Sequence, residues 1–156
     1  AAEADARIVG IVLVDPPCYV STQARLRSLR SRLRHPAAWM SLPAKLLKRL
    51  RSRLSSSAEN ADATSGGRQP PPLEDYRRQL NGLVARGVRI LSIYSSAQGV
   101  RYNHADQLYE WFPELRGKID SLYYPDANHT FTEIAQQTAL ISAVTDWRQR
   151  RFPASA

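Results

Sequence analysis

The chain is 156 residues long, 43% hydrophobic and 23% charged, which is enough apolar sequence for one globular domain and excludes a disordered chain. Its 22 Lys and Arg against 14 Asp and Glu give a formal net charge of +8. No apolar run approaches the roughly 18 residues of a membrane-spanning helix, and the single cysteine, Cys18, excludes an internal disulfide framework. The acidic start, Ala1 to Ala6, is not a secretory signal, so a cytoplasmic location is predicted.

The positive charge is concentrated in one segment. Between Pro16 and Ala58 the sequence has no Asp or Glu and ten basic residues: Arg25, Arg27, Arg30, Arg32, Arg34, Lys45, Lys48, Arg49, Arg51 and Arg53. Because the whole chain carries +8, the remainder is slightly negative. The basic character therefore belongs to this segment and not to a uniformly basic domain.

A buried strand and a basic helical insert are predicted for the first half. Ile8 to Val14 form a near-continuous apolar run that is typical of a strand buried on both faces of a parallel sheet. Leucines at helical spacing predict helices over Thr22 to Leu33, with Leu26, Leu29 and Leu33 on one stripe, and over about Leu42 to Leu54. Ser55 to Pro72 is rich in Ser, Ala, Gly and Pro and is predicted to be a flexible loop.

Helices and strands alternate in the second half. The pattern predicts helices over Leu73 to Arg86, His104 to Phe112 and Thr132 to Arg150, and buried strands over Val88 to Tyr94 and Ile119 to Tyr124. The inward face predicted for the last helix consists of Ile134, Ala135, Thr138, Ile141, Val144 and Trp147. Strands that alternate with helices predict an α/β fold with a parallel sheet.

Three strands make a thin sheet, so these elements indicate part of a larger α/β domain. We divide the chain into a core strand region (1–17), a basic helical lid with a flexible loop (18–72) and a C-terminal core with a histidine loop (73–156). The most distinctive stretch is YYPDANHTFT, Tyr123 to Thr132, in which a histidine follows a strand and precedes the closing helix.

The sequence resembles the second half of an α/β-hydrolase. IVGIVLVDPP is similar to the sixth strand of that fold, VRILSIY to the seventh, and SLYYPDANHTFTE to the eighth strand and its histidine loop. Within this superfamily, HPAAWMSLPAKLLKRL, YNHADQLYEWFPEL and NHTFT are most similar to bacterial exosortase-associated hydrolases. The resemblance covers nearly the whole chain. It implies a three-strand parallel portion of a hydrolase sheet, a basic helical lid after the sixth strand, and a role in exopolysaccharide production.

The resemblance also implies a Ser-acid-His triad that hydrolyses an ester, thioester or similar acyl bond of a small molecule, with His129 as general base and no cofactor or metal. The acid usually follows the seventh strand, but Ser95 to Val100 contains no carboxylate, so Asp15 and Asp106 are both candidates. The G-x-S-x-G nucleophile elbow occurs nowhere in the 156 residues. The chain alone is therefore expected to be inactive, and a complementing N-terminal half is expected to supply the serine.

The basic segment, residues 25–53, has several interpretations. The first is a lid whose leucines cover the active site while its arginines face water. The alternatives are attachment to an anionic membrane surface or to an acidic partner. Nucleic acid is poorly supported, because Tyr19 and Trp39 are the few aromatic residues available for stacking in the insert. The rival to a hydrolase is therefore a non-catalytic module that binds an anionic surface or partner through its arginine-rich helices.

Overall fold

A three-stranded parallel sheet forms the centre of the protein. The computed structural model describes residues 5–34 and 70–153. The strands are β1 (Gly10–Val14), β2 (Arg89–Ser95) and β3 (Asp120–Tyr124), in the spatial order β1-β2-β3. The helices are α1 (Thr22–Arg34), α2 (Leu73–Ala85), α3 (Leu108–Trp111) and α4 (Ile134–Arg151), with short 3-10 helices at Ser96–Arg101 and Pro113–Leu115. The predicted α/β class is confirmed.

The central strand β2 separates two apolar layers. Every residue of β2 after Arg89 is buried. Because successive side chains of a strand point to opposite faces, Ile90 and Tyr94 join the layer beneath α2, whereas Leu91 and Ile93 join the layer beneath α4. The two layers thus hold a helix on each face of the sheet, as a parallel sheet requires.

Helix α2 has clear signals at both ends. Three prolines precede it, and the negative charges of Glu74 and Asp75 in its first turn interact favourably with the positive end of the helix dipole. It ends at Ala85, and Gly87, two residues further on, has a φ of 81° that suits glycine and donates its N–H to the Val84 carbonyl at 2.9 Å. The buried face of the helix consists of Tyr76, Leu80 and Leu83, which fall on one side at helical spacing and belong to the same apolar layer as Ile90.

Strand β1 is the edge strand of the described sheet. Gly10 to Leu13 are only half-buried and Val14 is 46% exposed, so the expectation that β1 is buried on both faces is wrong for the described residues. Arg89 N donates to the Val9 carbonyl at 2.9 Å, and Asp15 N donates to the Ile93 carbonyl at 2.8 Å. Alternate residues of a parallel strand bond to the same neighbour, so the backbone groups of Gly10, Val12 and Val14 face away from β2. No described strand pairs with that outer edge. An apolar run predicts a strand but does not reveal how many neighbours it has.

The inward face predicted for helix α4 is correct at Val144 and Trp147 and wrong at its other four residues. Ile134 and Ile141 are 81% and 66% exposed, and Ala135 and Thr138 are also exposed. Trp147 is buried and Val144 is half-buried, and both pack together with Leu140. A hydrogen bond from Trp147 Nε1 to Asp120 Oδ2 (2.7 Å) fixes the rotation of the helix. Apolar residues occur on both sides of α4, so spacing alone could not select this face.

The remaining differences concern the ends of elements. The helix predicted from His104 begins only at Leu108, because residues 104–107 form a turn held by the buried Gln107, whose Nε2 donates to the Arg101 carbonyl at 2.6 Å. The helix predicted over about 42–54 lies outside the described residues, and so do residues 55–69 of the loop predicted over 55–72. None of the described helices is long and apolar enough to cross a bilayer.

Asp120 attaches α4 to the start of β3. Its carboxylate accepts from Trp147 Nε1, from Arg151 Nε at 2.9 Å and from Arg151 Nη2 at 2.7 Å. Burial alone would raise the pKa of Asp120, but the hydrogen bonds from Arg151 and Trp147 outweigh it and hold the pKa below its usual value.

We therefore expect Asp120→Asn to lower the free energy of unfolding at pH 7 by about 1–2 kcal/mol. The substitution removes the negative charge that accepts the hydrogen bonds from Trp147 and Arg151, and the partial exposure of Arg151 limits the loss. A lowered carboxyl pKa stabilises the fold above the unfolded value near ~3.9 and loses this contribution as pH falls through the folded value. The difference in unfolding free energy between this variant and the wild type should thus shrink below about pH 4. Asp146→Asn, on an exposed part of α4 with no described partner, is the control. A pH-independent difference would contradict the assignment.

Candidate functional site

The carboxyl ends of the three strands meet at one edge of the sheet, and two of the three predicted catalytic residues lie there. Asp15 directly follows β1, Ser95 is the last residue of β2, and the loop 125–132, which carries His129, follows β3. In open parallel sheets this edge is where ligands and catalytic groups are normally found.

Asp15 is oriented by the end of the neighbouring strand. Its Oδ1 accepts from the Ser95 backbone N–H at 2.8 Å, and its Oδ2 accepts from Ser95 Oγ at 2.7 Å. Ser95 is fully buried, whereas Asp15 is half-buried. A carboxylate oxygen has two lone pairs, so each Asp15 oxygen retains the capacity to accept one more hydrogen bond.

His129 lies at the exposed tip of a tightly organised loop. Asn128 Oδ1 accepts from Thr130 N (3.1 Å), from Thr130 Oγ1 (3.0 Å) and from Thr132 N (3.3 Å), which closes the turn around the histidine. On either side, Ala127 and Phe131 are buried and anchor the loop to the sheet. The His129 imidazole makes no hydrogen bond or ion pair with any residue of the described ranges, so both ring nitrogens are available.

Two consecutive serines connect Asp15 to the histidine loop. Ser95 binds the Asp15 carboxylate, while Ser96 donates from its N–H (3.1 Å) and from its Oγ (2.8 Å) to the Ala127 carbonyl. Because Ser95 and Ser96 are adjacent, Asp15 and Ala127, which lies two residues before His129, are held by neighbouring residues. No direct hydrogen bond joins Asp15 to His129 within the part of the chain that the structure describes.

Both described non-glycine residues with positive φ belong to this edge. Asp15 has φ of 46° and Phe131 has φ of 49°. Aspartate tolerates the left-handed region, but a bulky phenylalanine there is a genuine outlier that the surrounding structure must enforce. The Phe131 ring is buried against Tyr124, with ring centroids 5.6 Å apart. Strained residues of this kind concentrate at functional sites.

Asp106, the third predicted residue, lies elsewhere. Its Oδ2 accepts from Arg116 Nη1 at 3.4 Å, and its backbone N–H donates to His104 Nδ1 at 3.2 Å. Arg116 precedes β3 whereas His129 follows it, and a five-residue strand spans roughly 15 Å. Asp106 is therefore at the opposite end of β3 from the histidine loop, and its role as the acid stays a prediction.

Other reactive groups in the described residues have structural contacts. Burial raises the pKa of the Cys18 thiol, and Cys18 Sγ donates to the Pro16 carbonyl at 3.1 Å, so this thiol is not an activated nucleophile. Across residues 5–34 and 70–153 no three His, Cys, Asp or Glu side chains are grouped as metal ligands.

An open apolar groove lies beside the site. It has a volume of 430 Å³ and runs between β1 and α2. Its walls include Leu13, Pro16, Pro17, Tyr76 and Leu80. The groove thus follows the unpaired side of β1 and reaches the prolines directly after Asp15.

The sequence pattern predicts Asp15 and His129 as site residues but does not predict the contacts that hold them. The sequence assigns no role to Ser95, yet it is the hydrogen-bond partner of Asp15. The sequence assigns no role to Asn128 either, although Asn commonly accepts a hydrogen bond from the backbone two residues further on and so favours turns. No protein-family model, curated protein or solved structure matches the chain, so its geometry and sequence carry the functional argument.

Proposed function

We propose that this chain supplies the acid and base of an α/β-hydrolase triad, and that the completed enzyme is a serine hydrolase acting on an ester, thioester or similar acyl bond. The observation that supports it is the joint anchoring of Asp15 and the His129 loop to Ser95 and Ser96 at the carboxyl edge of the sheet. A strand–loop–histidine–helix sequence at this edge fits the triad of that fold.

In the proposed reaction, His129 accepts the proton of an attacking serine hydroxyl and later donates it to the leaving group. Asp15 would accept a hydrogen bond from the imidazole Nδ1–H, selecting the productive tautomer and stabilising the imidazolium. The exposed histidine can reach a partner residue without breaking an existing bond. Ser95, by holding both Asp15 oxygens, would keep the carboxylate oriented as the proton moves.

The serine must come from outside these 156 residues, which contain no G-x-S-x-G. The outward backbone groups of Gly10, Val12 and Val14 can accept a further strand, and in the α/β-hydrolase order the nucleophile follows the strand next to this one. The apolar groove along β1 would be covered by the same addition. The segment 18–72, of which α1 is the described helix, would be the lid.

The test is activity-based labelling of the protein as isolated from its source with a fluorophosphonate probe, which reacts with activated serines. The proposal predicts a labelled serine on a segment or partner outside residues 1–156, together with hydrolysis of a p-nitrophenyl acyl ester. Heat-denatured protein is the control for non-specific labelling. Absence of both labelling and ester hydrolysis in the native material would contradict the proposal and favour a non-catalytic module.

A further inference from the structure

Helix α1 is attached to the rest of the protein by its polar side. Arg27 Nη1 donates to Glu110 Oε1 at 2.7 Å, and Arg27 Nε donates to Asn103 Oδ1 at 3.0 Å. Asn103 Nδ2 donates in turn to the Ala24 carbonyl at 3.1 Å, and Ser21 Oγ binds Glu110. Burial alone would raise the pKa of Glu110, but the hydrogen bonds from Arg27 and Ser21 hold it below its usual value. The carboxylate that orients α1 is therefore charged at neutral pH.

This attachment turns the leucines of α1 outwards. Ala24 is fully buried, while Leu26 is 55% and Leu29 is 53% exposed. Leu26 and Leu29 are three residues apart, so they lie on one face of the helix. Leu26 and Leu29, expected to cover a site within the protein, have no described partner. An amphipathic helix whose polar face is inside and whose apolar face is outside is the reverse of the usual arrangement.

The exposed leucines lie within the strongest charge asymmetry of the chain. Arg25 and Arg30, on either side of them, are exposed, and Gln23, Leu26, Arg27 and Arg30 line a shallow groove of 300 Å³. From Pro16 to Ala58 the sequence has ten basic residues and no acidic one. Helix α1 contains no acidic residue of its own that could neutralise Arg25 and Arg30, and it therefore favours an anionic partner.

We propose that α1 is a peripheral membrane-binding helix that lies on an anionic lipid surface, with Leu26 and Leu29 inserted at the acyl boundary and Arg25 and Arg30 among the phosphate headgroups. Exposed apolar residues flanked by arginines on a non-spanning helix match the physical requirements of interfacial binding. The proposal does not depend on hydrolysis and goes beyond the proposed function.

The leucines distinguish a bilayer from a polymeric anion. Phosphates of a nucleic acid or an acidic polysaccharide would pair with the arginines, but they offer no apolar volume for Leu26 and Leu29. Nucleic-acid binding without sequence preference also uses aromatic stacking, and α1 contains no aromatic residue. A lipid surface is the partner that uses both kinds of side chain.

The experiment is flotation of the full chain with phosphatidylcholine vesicles that contain or lack phosphatidylglycerol. We expect binding to the anionic vesicles only. The double variant Leu26→Ser/Leu29→Ser should weaken the partition constant by about tenfold or more, because two half-exposed leucines lose their apolar insertion. Arg25→Gln/Arg30→Gln should weaken it by roughly tenfold, and its effect should diminish at high salt.

The matched control is Ile134→Ser/Ile141→Ser, which removes two more exposed apolar side chains from a helix outside the basic segment. This variant should bind vesicles like the wild type, and circular dichroism should show that all variants fold. Equal weakening by the isoleucine and leucine variants would overturn the proposal. So would failure of the wild-type chain to float with anionic vesicles, or binding to heparin or RNA as tight as to vesicles and unaffected by the leucine substitutions.

Discussion

His129→Gln should reduce acyl-ester hydrolysis by the native enzyme by at least about 10⁴-fold, since the serine would lose its general base. Glutamine retains hydrogen-bonding capacity but cannot accept and return the proton. His129 is exposed and makes no described contact, so the substitution should leave the thermal unfolding midpoint unchanged. Steady-state hydrolysis of a p-nitrophenyl ester and a thermal melt on the same preparation measure both quantities.

His104→Gln is the matched control for that experiment. His104 is the other described histidine, it is also exposed, and it is near Asp106 and not the carboxyl edge of the sheet. Its substitution should leave hydrolysis within about twofold, because exposed side chains away from a site have small effects. Equal loss of activity in the two variants would point to a general disturbance, and full activity in His129→Gln would rule out the triad assignment.

Much of the fold could be predicted from the sequence because the strong signals are local. The apolar runs before Asp15, at VRILSIY and at SLYY predicted three parallel strands, and α2 was predicted to within one residue of its end. The orientations of α1 and α4 could not be predicted in this way. Each is set by polar contacts with a distant part of the chain. Glu110 and Asn103 bind Arg27 of α1, and Asp120 binds Trp147 and Arg151 of α4. Hydrophobic spacing contains no information about such contacts.

The candidate site shows the same division. The histidine loop was identifiable because a histidine between a strand and the closing helix is a local pattern. Sequence distance gives no guide to the acid. Asp15 is 114 positions from His129 and Asp106 only 23, yet Asp106 lies at the far end of β3. The two serines that connect Asp15 to the loop become visible only when β1, β2 and β3 are placed side by side.

Asp15→Asn should lower kcat for acyl hydrolysis by about 10⁴-fold, whereas Asp106→Asn should leave it within about twofold. An asparagine can present its N–H₂ to the imidazole and favour the wrong tautomer, and it cannot stabilise the imidazolium with a charge. Among the described residues the Asp106 carboxylate pairs with the exposed Arg116 near the start of β3, so its neutralisation should change little. The hydrolysis rates of the two variants, measured side by side in the native enzyme, decide which carboxylate is the triad acid.

The Ser95→Ala variant tests whether Asp15 acts in catalysis or only holds the ends of the strands together. It removes the Ser95 Oγ bond to Asp15 but retains both the carboxylate and the bond from the Ser95 backbone N–H. One lost hydrogen bond corresponds to about 1 kcal/mol, so this variant should lose only about fivefold in kcat. If Ser95→Ala were as inactive as Asp15→Asn, Asp15 would act chiefly by holding the strand ends together. If Asp106→Asn were the inactive variant, the carboxyl edge would not contain the acid, and the pairing of Asp15 with the histidine loop would be structural.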